Sequence, residues 1–189
     1  MKIILNLATF AKNIEYMNFF NLFPGDYVED VFSVDYDRLM QSGVKALIFD
    51  IDNTLVPHGT DTTPQIDEFF RTLHAKGLKT LLLSNNSDER IRTFNRNIQT
   101  LYIPNADKPH PKNFLKALKL LDTKAHETVV IGDTIFTDIV GANRAGIPSV
   151  LVKYHGYYKK EKKGIRRRIE SVILVLYSLT HKRLCMVRR

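Results

Sequence analysis

Five short apolar runs punctuate the chain, at residues 44–49, 78–83, 100–103, 128–131 and 149–152. Each is rich in Val, Ile or Leu, too short for a helix, and continuous rather than alternating. That pattern predicts strands buried on both faces of a parallel sheet. Between the runs lie helical patterns with recognisable ends. Thr63-Pro64 sets an N-cap residue before a proline at the first helical position; Phe69, Phe70 and Leu73 supply the apolar face, and Gly77 stops the helix. Ser87 caps a second helix carrying Ile91, Phe94 and Ile98. Pro111 opens a third with Phe114, Leu115, Leu118 and Leu121, and Thr137 or Asp138 opens a fourth that ends at Gly146. Strands alternating with helices predict an α/β fold: a doubly wound, Rossmann-like sheet of five parallel strands joined by right-handed crossovers. In such a sheet the ligand lies at the carboxyl ends of the strands, beside the point where the winding reverses. The organisation expected is an N-terminal segment (1–43), a core (44–152) and a C-terminal tail (153–189).

Composition narrows the class. At 189 residues, 44% hydrophobic and 25% charged, the chain suits one globular domain and excludes a disordered, collagenous or rod-like protein. A single cysteine, Cys185, excludes a disulfide framework and a cysteine-rich zinc site. No apolar run approaches the ~20 residues that span a bilayer. The N-terminal stretch lacks a convincing signal-peptide cleavage site. A cytoplasmic protein is expected.

The chemistry collects at the strand ends. The first run passes directly into Asp50-Ile51-Asp52-Asn53-Thr54, with two carboxylates at i and i+2. The fourth ends Ile131-Gly132-Asp133, with Asp138 shortly after. If these two strands are neighbours, Asp50, Asp52 and Asp133 converge, and three acids repel one another unless a cation sits among them. Hard oxygen donors without histidine or thiolate favour Mg²⁺. Ser84, Asn85 and Asn86 end the second strand and bring a hydroxyl and amides to the same rim. Lys108 precedes proline in a loop and offers a fixed positive charge, with Lys112 as the alternative. Carboxylate nucleophile, second carboxylate, metal, hydroxyl and lysine together suit phosphoryl transfer. Against an EF-hand calcium loop, Leu55 stands where glycine is required and a strand precedes the acids. The six histidines show no metal-ligand spacing; His110 fills its loop, and His58 lies near enough to touch a substrate.

At these residues the chain resembles the haloacid-dehalogenase-like phosphohydrolase superfamily. Its four motifs occur in order: Asp50-x-Asp52-x-Thr54, Ser84, Lys108-Pro109, and Gly132-Asp133 followed by Asp138. The narrower resemblance, carried by Asp52-Asn53-Thr54-Leu55-Val56, Ser84-Asn85-Asn86 and residues 141–146, is to the capless YqeG-type group related to phosphatidylglycerophosphate phosphatases. The resemblance implies roles. Asp50 would attack phosphorus and become an aspartyl phosphate; Asp52 would protonate the leaving group and then activate water. Mg²⁺ would be held by the Asp50 carboxylate, the Asp52 main-chain carbonyl and the Asp133 carboxylate. Asp138 would be a further ligand through water, or would orient Lys108. Ser84, the amides near Asn85, and Lys108 would hold the phosphoryl group.

Only 31 residues separate Asp52 from Ser84, too few for a large cap domain. An open site admits a phosphate presented on something large. The tail bears on what that is. Residues 153–189 hold twelve Lys or Arg and two acids, a net +10 against −2 for the remainder. Ile165, Ile169, Val172, Ile173, Leu176 and Leu179 fall at helical spacing. A basic amphipathic helix suits an anionic membrane surface, and with it a lipid phosphate. The alternative is packing of the stripe on the core or in a dimer. Tyr154, Tyr157 and Tyr158 beside Lys159 keep nucleic acid open as a partner. The expected enzyme is a Mg²⁺-dependent phosphomonoesterase of a lipid head group, the alternatives being small sugar or nucleotide phosphates, phosphorylated protein or nucleic acid, or an RNA- or ribosome-binding protein with a vestigial site. No catalytic residue is expected beyond Asp138, so loss of the tail should spare soluble substrates.

Overall fold

The computed structural model describes residues 19–153 and 165–180. Six parallel strands form one sheet: β1 (Asp26–Val28), β2 (Ala46–Phe49), β3 (Lys79–Leu83), β4 (Leu101–Ile103), β5 (Thr128–Gly132) and β6 (Ser149–Val152). Their order is β1-β6-β5-β2-β3-β4. The five strands read from apolar runs are all present. The sixth, β1, comes from the segment expected to stand outside the core. Asp26-Tyr27-Val28 is short and not uniformly apolar, because an edge strand needs only one neighbour; it pairs with β6 through Asp26↔Val150 and Val28↔Val152. The sheet is doubly wound as predicted, with six strands rather than five.

Strand alternation divides the core in two. Leu47 and Phe49 face Phe70, Leu73, Ile91 and Phe94 of α2 (Pro64–Ala75) and α3 (Asp88–Phe94), with Leu39 of α1 (Tyr36–Gln41) on the same side. Ala46 and Ile48 face Phe114, Ala117 and Leu121 of α4 (Pro111–Leu121) and Ala142 of α5 (Val140–Arg144). Thr63 and Ser87 cap α2 and α3 through their hydroxyls, while His110 caps α4 through its ring. α3 stops at Phe94, one turn short of Ile98, which is buried beyond the helix end.

Winding reverses between β2 and β5. They pair in parallel from Ala46↔Thr128 to Phe49↔Ile131, and the Asp50 amide continues the ladder by donating to the Ile131 carbonyl at 3.0 Å. The helical path after β5 begins at a π-helical turn, Ile135–Ile139, two residues before the predicted start. The C-terminal helix α6 (Ile165–Thr180) then returns to the core and buries Ile173 with Ile135, Ile139 and Leu151. Lys159, Lys160, Lys162, Lys163, Tyr154, Tyr157, Tyr158 and Cys185 lie outside the described residues. No helix among the described residues is long and apolar enough to cross a membrane.

Candidate active site

The switch point brings together residues far apart in sequence. Asp50 leaves the end of β2 and Asp133 the end of β5. Asp138 is turned inward by the π-helical turn, and Lys108 follows β4 in a loop. Lys108 Nζ donates to Asp50 Oδ1 at 2.6 Å and to Asp138 Oδ1 at 2.7 Å. Asn85 braces the lysine's backbone: its Oδ1 accepts from the Lys108 amide at 2.8 Å. Lys112 is exposed and its amide serves the helix cap at His110, so Lys108 is the lysine that reaches the carboxylates. The remaining oxygen of Asp138 accepts from the Thr134 amide at 3.1 Å. Asp138 thus contacts both Lys108 and the Thr134 amide of its own turn, while its carboxylate stays within the three-acid cluster.

Close approach at this point requires glycine. A Cβ on Gly132 would lie 2.5 Å from the Cβ of Asp138. Without it Asp138 packs directly on the end of β5, where Lys108 reaches it.

The carboxylates of Asp50, Asp133 and Asp138 offer ligand atoms all within 4.8 Å of one another. Burial pushes Asp50 up to about 7; Lys108 opposes this, and Asp138 and Asp133 add to it. Burial likewise pushes Asp133 up to about 6 against the pull of Arg167. Burial disfavours the charge of Lys108 too, but Asp138 and Asp50 outweigh it and hold the ammonium above the ordinary lysine value. Crowded, dehydrated carboxylates with raised proton affinity are a donor set that fits a small hard divalent cation.

Asp52 has a separate environment. The strand ends before it, so its carboxylate does not join the three-acid cluster as simple alternation would suggest. Oδ1 accepts from the Gly59 amide at 2.9 Å and Oδ2 from Asn86 Nδ2 at 2.5 Å. His58 Nδ1 lies 3.5 Å away and Arg90 at 3.7 Å. Asp52 thus sits against the loop of residues 53–63, partly exposed. Ser84 is buried at the end of β3, and its Oγ accepts from the Asn86 amide at 3.3 Å. Asn86 and Arg90 therefore belong to the surroundings of Asp52. Asn86 is one of the amides the sequence brings to the rim; Arg90 carries no sequence signal beyond its place after the Ser87 cap.

Beyond Asp138, where no catalytic residue is expected, the C-terminal helix brings two side chains to the cluster. Arg167 of α6 forms an ion pair with Asp133 Oδ2 and donates to the Asp133 carbonyl at 2.8 Å. Glu170 Oε1 accepts from the Ile135 amide at 2.9 Å, and Oε2 pairs with Arg167 at 2.9 Å. A signal for this contact existed: Glu170 is one of only two acids in the tail and stands three residues after Arg167.

With the geometry in hand, similarity defines the class. A family model described as HAD-hydrolase-like matches residues 105–178, which hold Lys108, Asp133 and Asp138. Over 155 residues the chain is 32% identical to "Probable phosphatase YqeG" of Bacillus subtilis, covering 79% of this chain and 90% of that protein. A glyceraldehyde 3-phosphate phosphatase of Pyrococcus furiosus is 46% identical over 50 residues, a fifth of its length (21%) and 26% of this chain. Among solved structures, an uncharacterised protein from Listeria monocytogenes superposes with a TM-score of 0.50 at 20% identity, over 71% of this chain and 99% of that one. The class is thus the haloacid-dehalogenase-like hydrolases. The chain belongs to this superfamily as a phosphatase of YqeG type, a phosphoric monoester hydrolase.

Proposed function

We propose that the chain is a Mg²⁺-dependent phosphomonoesterase that works through an aspartyl phosphate on Asp50. The observation that carries this reading is Lys108 Nζ, held at 2.6 and 2.7 Å between Asp50 and Asp138 with Asp133 beside them. Asp50, Asp133 and the Asp52 main-chain carbonyl would hold the metal, which supplies charge stabilisation for the transferring phosphoryl group. Asp50 Oδ2, whose contact with Thr54 Oγ1 is a long 3.4 Å, is the oxygen free to attack phosphorus. As that bond forms, the ester oxygen leaves with a proton from Asp52. Lys108 and the Ser84 hydroxyl offset charge on the phosphoryl oxygens, with amides near Asn85 assisting. Asp52, now ionised, takes a proton from water attacking the acyl phosphate, releasing inorganic phosphate and restoring Asp50. Hydrolysis of p-nitrophenyl phosphate with Mg²⁺ and its loss in EDTA test the chemistry. Protein that binds RNA yet shows no Mg²⁺-dependent hydrolysis of any phosphomonoester would favour a binding role with a vestigial site.

For the substrate we propose a lipid head-group phosphate, phosphatidylglycerophosphate or a chemical relative, met at an anionic membrane surface. Two features support this. Among the described residues, only the short loop of residues 53–63 separates Asp52 from α2, and it lies against Asp52. The outer face of α6 carries Ile165, Ile169, Val172, Leu176 and Leu179, all exposed, on a helix embedded in a segment of net +10. Of the predicted stripe Ile173 is buried on the core, while Ile165, Ile169, Val172 and Leu179 face outward, as an interfacial partner would require. A panel of phosphorylated lipids, sugars, nucleotides and a phosphopeptide tests this. A lipid phosphate should give the highest kcat/KM, and preference for any other class overturns the lipid reading.

A further inference from the structure

The contact between α6 and Asp133 lies outside the four motifs, yet it reaches a group proposed to hold the metal. Arg167 binds Asp133 twice, with one guanidinium nitrogen at Oδ2 and the other at the main-chain carbonyl, a planar two-nitrogen fork that an ammonium lacks. With Oδ2 so held and Oδ1 accepting from Thr134 Oγ1 at 3.1 Å, the carboxylate has a fixed rotation on the three-acid cluster. Glu170 is buried and does two things. It accepts from the Ile135 amide, a free helix-end donor at the start of the turn that carries Asp138. It also pairs with Arg167, so the guanidinium's charge is largely cancelled before it can repel a cation among the carboxylates.

We propose that Arg167 and Glu170 are positioning residues of the active site: the C-terminal helix aims the Asp133 carboxylate at the metal and caps the turn that presents Asp138. This rests on the reading of Asp50, Asp133 and Asp138 as the metal centre. Partners that orient a metal ligand commonly set metal affinity by 10- to 100-fold. The C-terminal helix is then part of the catalytic unit, and whatever engages its outer face acts one helix-width from Asp133.

The test measures metal binding directly, by calorimetric titration of Mg²⁺ into full-length protein and by Mn²⁺ electron paramagnetic resonance, beside the Mg²⁺ dependence of turnover. Arg167→Lys keeps the charge and loses the fork. It should weaken metal binding roughly 10- to 100-fold, raise the Mg²⁺ needed for half-maximal rate in step, and return most of kcat at saturating metal. Glu170→Gln keeps an acceptor for Ile135 and removes the cancelling charge; it should weaken binding less, and most at low ionic strength. Val44→Ala, on the far side of the core, lowers stability alone and should leave metal affinity unchanged. Arg167→Lys with wild-type affinity overturns the proposal, and so does tighter binding, which would make Arg167 a competitor of the metal. Should Arg167→Lys not fold, unchanged affinity in Glu170→Gln overturns it. Wild-type protein without Asp50-dependent metal binding refutes the underlying site reading instead.

Discussion

Lys108 Nζ meets Asp50 Oδ1 at 2.6 Å across 58 residues of sequence, and both side chains are largely shielded from solvent. The pair joins a cation to the oxygen beside the one proposed to attack. Replacing Asp50 by Asn keeps the volume and an acceptor for Lys108, so the fold should persist. Nucleophilicity and one metal charge vanish together, and kcat should fall by several orders of magnitude. Retention of even a tenth of wild-type kcat, measured on protein with an unchanged circular dichroism spectrum, would remove Asp50 from the role of nucleophile.

Asp52, the proposed general acid, is anchored by Gly59 and Asn86, apart from the carboxylate cluster. Its proton matters most when the leaving group is a poor one. Asp52→Asn should therefore slow single-turnover phosphorylation by an alkyl phosphate much more than by p-nitrophenyl phosphate. Equal losses for the two esters would mean that Asp52 is not the acid.

The raised proton affinities have a consequence for stability. Asp50 goes from an ordinary 3.8 to about 7, chiefly through burial. Between those values the folded chain holds a proton that the unfolded chain has released. The contribution of Asp50 to stability is thus largest below pH 4 and is lost as pH rises towards 7. In EDTA, the melting temperature of wild type relative to Asp50→Asn should fall between pH 5 and pH 7.5. Mg²⁺ should raise it at pH 7.5 and much less at pH 5, where protons compete for the same oxygens. A relative stability that climbs with pH in EDTA would contradict the crowded, dehydrated site.

Gly132 and Asp138 approach so closely that a methyl group cannot be added between them. Gly132→Ala must push Asp138 off the end of β5, away from Lys108. Overpacking of this kind costs about 1–3 kcal/mol. Both melting temperature and kcat should drop, with KM less affected. Thermal melts beside steady-state kinetics measure this, and a variant like wild type in both would show that Asp138 has room to move.

What was legible in the sequence and what was not follow one physical division. Asp50, Ser84 and Asp133 could be read because a buried parallel strand is a continuous apolar run, and the polar residue that ends it lies at the rim by construction. Lys108 and Asp138 followed from motif order. Strand β1 was missed because an edge strand of three residues needs no apolar run. Arg167 and Glu170 were missed because their partner lies 34 or 35 residues away. Their helix also carries a second, outward apolar face, and that face dominates its periodicity. The helical path starts at Ile135 rather than at Thr137 or Asp138, and the Ile135 amide at that start donates to Glu170.

That outward face gives the last prediction. Ile165, Ile169, Val172, Leu176 and Leu179 recur at alternating steps of four and three, so they form one stripe, and Arg167 and Glu170 point the other way into the site. Surface binding and catalysis should therefore separate when the stripe is changed instead of the whole tail being deleted. Deleting the tail would remove Arg167 and Glu170 as well, and so should slow hydrolysis of soluble and lipid substrates alike. Ile169→Asp with Val172→Asp changes only exposed positions and adds two negative charges opposite anionic lipid. Each basic residue near such a surface contributes about 1 kcal/mol, screened over roughly 8–10 Å at physiological salt. The double variant should keep its kcat on p-nitrophenyl phosphate and its melting temperature. It should lose flotation with vesicles containing phosphatidylglycerol and slow on a bilayer-embedded phosphate, while wild type should float less at high salt. Unchanged flotation would defeat the membrane assignment. A shift from dimer to monomer in sedimentation, with flotation absent from wild type, would assign the stripe to a second copy of the chain.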